Sequence, residues 1–223
     1  MGGLAHVIVA TVAFVGTHFL MSHPLRAGMV ARFGAAVFQG VYSLVSFATF
    51  GWIIWALREV GPEPFLWTAP DAFWVAASVV MLIASVLLAG SLIGNPALPG
   101  MPGGAGEPRG VLAITRHPMM WGFALWALAH ALVWPQPSVL VLCVGIALLA
   151  LGGSAGQDAK KTRLQPDFWP AWRSKTAFVP FTGRAPFRAM WPGWGVLIGG
   201  VALWLLATWA HEPLGAPAVG VWR

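Results

Sequence analysis

The sequence predicts an all-α fold, a polytopic membrane bundle of about six transmembrane helices, on three observations. Of its 223 residues, 58% are hydrophobic and only 9% are charged. Several apolar runs approach or exceed the roughly 20 residues that a helix needs to cross a bilayer. The basic residues gather in the short stretches between those runs, where topology signals are expected.

The first span is expected at about 4–22; its start, MGGLAHVIVATVAF, lacks the basic region and small-residue cleavage site of a removed signal peptide, so it reads as retained. Spans two and three are expected at about 37–57 and 72–94, joined by a net acidic loop with Arg58, Glu59, Glu63 and Asp71. Span four, about 118–134, is short and begins with Arg116, His117 and Pro118 at the interface. WPQP ties it to span five, about 138–156, in a helical hairpin, because two prolines leave room only for a tight turn. The sixth span is expected at about 192–210. No internal repeat or second domain is visible, so 1–223 reads as one transmembrane domain.

The first, third and fifth loops hold 11 of the 13 basic residues and fall on one side of a six-span bundle. By the positive-inside rule that side is cytoplasmic and both termini are periplasmic. A formal charge of +6 placed this way is a topology signal and argues against a nucleic-acid partner. The single cysteine, Cys143, excludes an intrachain disulfide and a multi-cysteine metal site. Gly152 with Gly156, and Gly195 with Gly199, have the spacing that lets membrane helices approach closely, and ordinary helix glycine explains them equally well. The third loop, NPALPGMPGGAGEPRG, is too rich in proline and glycine for a regular helix; it is either a flexible connector or a lid over span four. In the fifth loop, about 157–191, DFWPAWRSKTAFVPF mixes aromatic and basic residues as segments in the headgroup layer do.

Six histidines are available for chemistry. His6, His23 and His211 sit near span ends. His18 and His130 lie within apolar helices and need partners: a hydrogen bond to a neighbouring helix, or a metal held by the imidazole. His117 and His130 point about 140° apart and stand about 20 Å apart along span four, so they do not share one metal. His18 and His130 are offset in depth by about 10 Å; the arithmetic sets His18 level with His117, and His6 level with His130. Trp126, one turn from His130, is placed to wall a planar ligand, and Ser22 to orient His18. Arg26 and Arg116 either clamp a carboxylate at the basic end or anchor the bundle to lipid phosphates.

TRHPMMWGFALWALAHAL, with FVGTHFLMSHPLRAGMVARFG, VYSLVSFATFGWIIWA and the later WRSKTAFVPF, resembles the NnrU family of membrane proteins. That resemblance implies a multi-pass protein of the bacterial inner membrane, tied to denitrification through expression or activity of nitric oxide reductase. A plant and cyanobacterial relative of the family, the zeta-carotene isomerase, is a heme b protein. Its ligand histidines match His18 and His130 here, which implies a bis-histidine heme b with Arg26, Arg116, His117 and Trp126 around it. The isomerase has a cysteine where this chain has Ala127, so that thiolate alternative is missing. The Arg-His-Pro helix start is more distantly similar to integral-membrane methyltransferases, whose adjacent glutamates are replaced here by the lone Asp158 of SAGQDAKKTRL.

Three functions follow as expectations. One is a heme protein with metal ligands His18 and His130, acting on electrons or on a hydrophobic small molecule. The second is a cofactor-free assembly or regulatory partner of nitric oxide reductase within the lipid bilayer. The third is a membrane methyltransferase on a lipidic substrate.

Overall fold

The computed structural model describes residues 3–98 and 106–223. Eight α-helices follow in order: α1 Leu4–Ser22, α2 Arg26–Arg58, α3 Asp71–Ser91, α4 Val111–Ile114, α5 Pro118–Val133, α6 Pro137–Leu164, α7 Trp169–Lys175 and α8 Trp194–Ala210. No strand occurs among the described residues. Four helices, α1, α2, α3 and α6, are long and apolar enough to cross a membrane, and the shorter apolar α5 and α8 lie where the fourth and sixth spans are expected. Large apolar side chains such as Leu44, Phe47, Val75, Leu148 and Ile198 face outward from these helices. On a protein in water that surface would aggregate; in a bilayer it is the lipid-facing side.

Proline at the first turn starts both α5 and α6, where its missing N–H costs nothing. The helix that begins at Arg26 runs past the expected start of span two, bending at Gly34, whose φ of 81° is open to glycine at little cost. At its other end α6 continues past residue 156 to Leu164, because the polar stretch Gln157–Leu164 packs against other elements instead of fraying into a loop.

The helices pack as a row: α1 lies between α2 and α6, α6 between α1 and α5, and α3 between α5 and α8. Glycines set the close approaches. A Cβ on Gly156 would stand 2.5 Å from the His23 ring, and one on Gly200 would stand 2.8 Å from the Val86 Cα. Gly152 faces Phe19, so the first expected glycine pair does lie on a seam, that of α6 with α1. The second does not: Gly195 and Gly199 face open space, and Gly200 makes the α8–α3 contact.

The aromatic, basic segment after α6 departs from the expectation of a headgroup-layer strip. Trp169 and Trp172 on α7 are buried, packed with Ala97, Leu112 and Phe168, while Phe181, Phe187 and Trp191 remain exposed. The segment is pinned across the head of α5 by backbone: Arg116 N–H donates to the Ala177 carbonyl at 2.8 Å, and Trp121 Nε1 donates to the Phe178 carbonyl at 2.9 Å. The third-loop lid expectation lies partly outside the described residues. At the opposite end the acidic loop is tied to the hairpin turn, with Ser138 N–H donating to Glu63 and Leu66 N–H donating to the Pro135 carbonyl.

Candidate functional site

One buried polar arrangement and one large cavity occupy the basic end. The polar arrangement forms where α5 begins. The carboxylate of Asp158, on α6, accepts from Arg116 Nη2 at 2.6 Å, from Arg116 Nε at 2.8 Å and from His117 Nε2 at 2.9 Å. Arg116 Nη1 donates to the Thr176 carbonyl at 3.2 Å, and the Phe178 ring covers both the guanidinium and the imidazole. All three ionisable residues are buried. Charges this far from water persist only when paired and hydrogen-bonded, as these are.

This geometry corrects two sequence expectations. Arg116 is not free to clamp a ligand carboxylate, because Asp158 already takes that role, and His117 does not line the mouth of the bundle. His117 faces a chamber of about 30 Å³, lined also by Asn95 and Gln157, which is far too small for a methyl-donor nucleotide. Asp158 itself is the residue that sequence reasoning undervalued.

The cavity lies between α1, α2 and α6, with Met120 and Phe123 of α5 at its side, and has a volume of about 860 Å³. Its walls are apolar, with Phe14, Phe50, Phe123, Ile146 and Leu149 among them. Its basic end is ringed by His23, Arg26, Lys160 and Lys161. Burial, then Lys160 and Arg163, pushes the His23 imidazole below its ordinary value. Tethers keep this end in place: Gln157 donates to the Ala97 carbonyl at 2.9 Å and Lys161 donates to the Pro96 carbonyl.

His18 lines this cavity. Its Nδ1 lies 2.7 Å from the Phe14 carbonyl, which only accepts, so Nδ1 carries the hydrogen and Nε2 is the nitrogen with a lone pair. That is how a metal-ligating histidine is commonly oriented. Ser22 plays no part in it, since its hydroxyl reaches Tyr42 at 3.4 Å. His130 lies elsewhere. It sits near the far end of α5, stacked on Trp126 at 4.1 Å and on His211, just past α8, at 6.1 Å, and does not line the cavity. The structure thus brings His18 together with Arg26, but not with His130, Trp126 or Arg116. As the depth arithmetic anticipated, His18 belongs to the basic end and His130 to the opposite one.

Fold and site together define a multi-pass helical membrane protein with a deep apolar cavity, one histidine in its wall and cations at its rim. The NnrU protein family model matches residues 6–218, so the chain belongs to the NnrU family. No curated protein and no solved structure shows significant similarity to it.

Proposed function

We propose that this NnrU-type protein binds one heme b in the α1–α2–α6 cavity, where His18 Nε2 would hold the iron. The observation that carries the reading is the match of chemistries: an apolar chamber of about 860 Å³, a histidine nitrogen open to it, and a cationic rim at one end. Heme has the same division, a flat apolar macrocycle with two carboxylates on one edge. Phe14 and Phe50 would pack against the macrocycle, and Arg26 and Lys160 would meet the carboxylates. A heme iron held by one histidine supplies electron transfer or the binding of a small ligand such as a diatomic gas. The chain's own part is to orient His18 through Phe14, keep bulk water from the macrocycle, and neutralise the carboxylates.

This reading replaces the bis-histidine arrangement with a single ligand, because His130 faces His211 and not the cavity. The basic-end charge distribution supports placing the rim on the cytoplasmic side of a bacterial inner membrane. Action beside nitric oxide reductase in denitrification is supported by the family resemblance. Absorbance spectra of the detergent-purified protein, oxidised and reduced, with a pyridine hemochrome assay, test the proposal. One heme per chain is expected, lost in His18→Ala and retained in His130→Ala. A colourless protein from heme-replete cells, or loss of heme only in His130→Ala, overturns it.

A further inference from the structure

We infer that the Asp158–His117 pair supports a one-water relay site beside the large cavity. His117 is 2% exposed, and its Nδ1 is a buried polar atom with no partner among the described residues. Its other nitrogen, Nε2, donates to Asp158, so the ring cannot turn to satisfy Nδ1 without breaking a charge-assisted bond. A buried ring nitrogen left unpaired is costly whichever way it is protonated: as an acceptor it lacks a donor, and as a donor it lacks an acceptor.

The chamber that His117 faces supplies the remedy. Its volume of about 30 Å³ exceeds the roughly 10–15 Å³ that one water requires, and polar walls are what keep such a water in place. Asn95 and Gln157 are those walls. Ala97, Leu98, Met120 and Gln157 line both this chamber and the large cavity, so the two spaces are neighbours across a single layer of side chains. A water there stands between His117 and whatever the cavity holds. Because Nδ1 accepts in one protonation state and donates in the other, that water can pass a hydrogen bond or a proton in either direction. The charged groups facing His117 are Asp158 on α6 and its own neighbour Arg116; its remaining surroundings are the Phe178 ring, Asn95 and Gln157. Asp158 is a positioning residue here, because it fixes which nitrogen faces the chamber.

The water site itself does not depend on the heme reading; the relay to a ligand rests on it. The first arm of the test uses protein labelled with ¹⁵N at histidine, in lipid nanodiscs without added ligand. The Nε2-protonated form of His117 is expected, with Nδ1 showing magnetisation exchange with water. Ala97→Leu, which fills the chamber and leaves the Asp158 bond in place, should abolish that exchange. Gln157→Met serves if the first variant does not fold. Absence of exchange in the wild type, or its persistence in a folded chamber-filled variant, overturns the inference. In the second arm hemin is added to the wild type and to Met119→Phe, a position that lines the chamber and not the large cavity, and the dependence of midpoint potential on pH is compared. A flatter dependence in Met119→Phe, with an unchanged Soret band, is expected; the same slope in both overturns the relay. Failure to take up hemin overturns the heme reading and with it the relay to a heme, while the first arm still decides the water site.

Discussion

Arg116 Nη2 lies 2.6 Å from Asp158 Oδ2, joining the head of α5 to the polar end of α6 across 42 residues of sequence. Both side chains are 8% exposed, so neither charge has water to fall back on. Replacing Asp158 by alanine leaves a buried guanidinium and an unpaired His117. It is expected to lower the unfolding free energy by about 3–5 kcal/mol, the range for removal of one partner of a buried pair. Removing both charges together, in Arg116→Met with Asp158→Leu, should cost less than Asp158→Ala alone. Reversible denaturant titration in detergent micelles measures both; equal losses in the two would mean that the pair is not mutually compensating.

Close helix approach makes a second, contrasting pair. An added methyl at Gly200 meets the Val86 backbone at 2.8 Å, which cannot swing aside as a side-chain tip can, whereas one at Gly199 meets nothing within 4 Å. Gly200→Ala should destabilise by about 1–3 kcal/mol, as over-packing does. Gly199→Ala should be neutral or slightly stabilising, since alanine is the better helix former. Melting temperatures of the two variants, side by side, separate the structural contact from the spacing motif that the sequence displays.

That contrast shows what sequence could and could not carry. Hydropathy located six apolar helices, four of them long enough to cross a membrane, because an apolar run of sufficient length has few alternatives to a membrane helix. It could not say which glycine of Gly195, Gly199 and Gly200 faces a neighbour, since helix rotation is set by packing. Nor did it end α6 correctly: apolarity stops near residue 156 while the helix continues to Leu164, carrying Gln157 and Asp158 into the site. Asp158 left one signal, an isolated carboxylate within a strongly basic stretch, two residues past the expected span end. Trp169 and Trp172 left none, because an amphiphilic segment looks the same whether its tryptophans lie in headgroups or, as here, are buried in the protein. His18 and His130 paired by resemblance, but only three-dimensional packing shows that α6 lies between their helices.

His23, just beyond α1, gives a pH dependence with a definite sign. Burial first, then Lys160 and Arg163, holds its folded-state value below 6.5. Below pH 6.5 the unfolded chain therefore binds a proton there more readily than the folded one does. This histidine's contribution is thus expected to leave stability unchanged above that value and to reduce it as pH falls from about 6.5 toward the depressed folded value. His23→Gln should remove that part of the decline and leave the rest. Thermal unfolding of both proteins across pH 5 to 8 is the measurement, and parallel curves would contradict the assignment.

The rim of the cavity makes the last prediction. If ligand carboxylates sit between Arg26 and Lys160, then hemin binding has a Coulomb component that the apolar walls do not supply. Both side chains are partly solvated, where an ion pair is worth about 0.2–1 kcal/mol. Neutralising both, in Arg26→Gln with Lys160→Gln, is expected to weaken hemin binding roughly 2- to 30-fold without abolishing it. The axial signature should be retained, in contrast to His18→Ala. Salt should narrow the difference between wild type and variant, since exposed charges are screened over about 8–10 Å near physiological ionic strength. Fluorescence titration at low and high salt reads both effects, the tryptophans serving as quenched donors. An unchanged dissociation constant with no salt dependence would place the carboxylates away from this rim and leave Arg26, Lys160 and Lys161 to meet lipid phosphates.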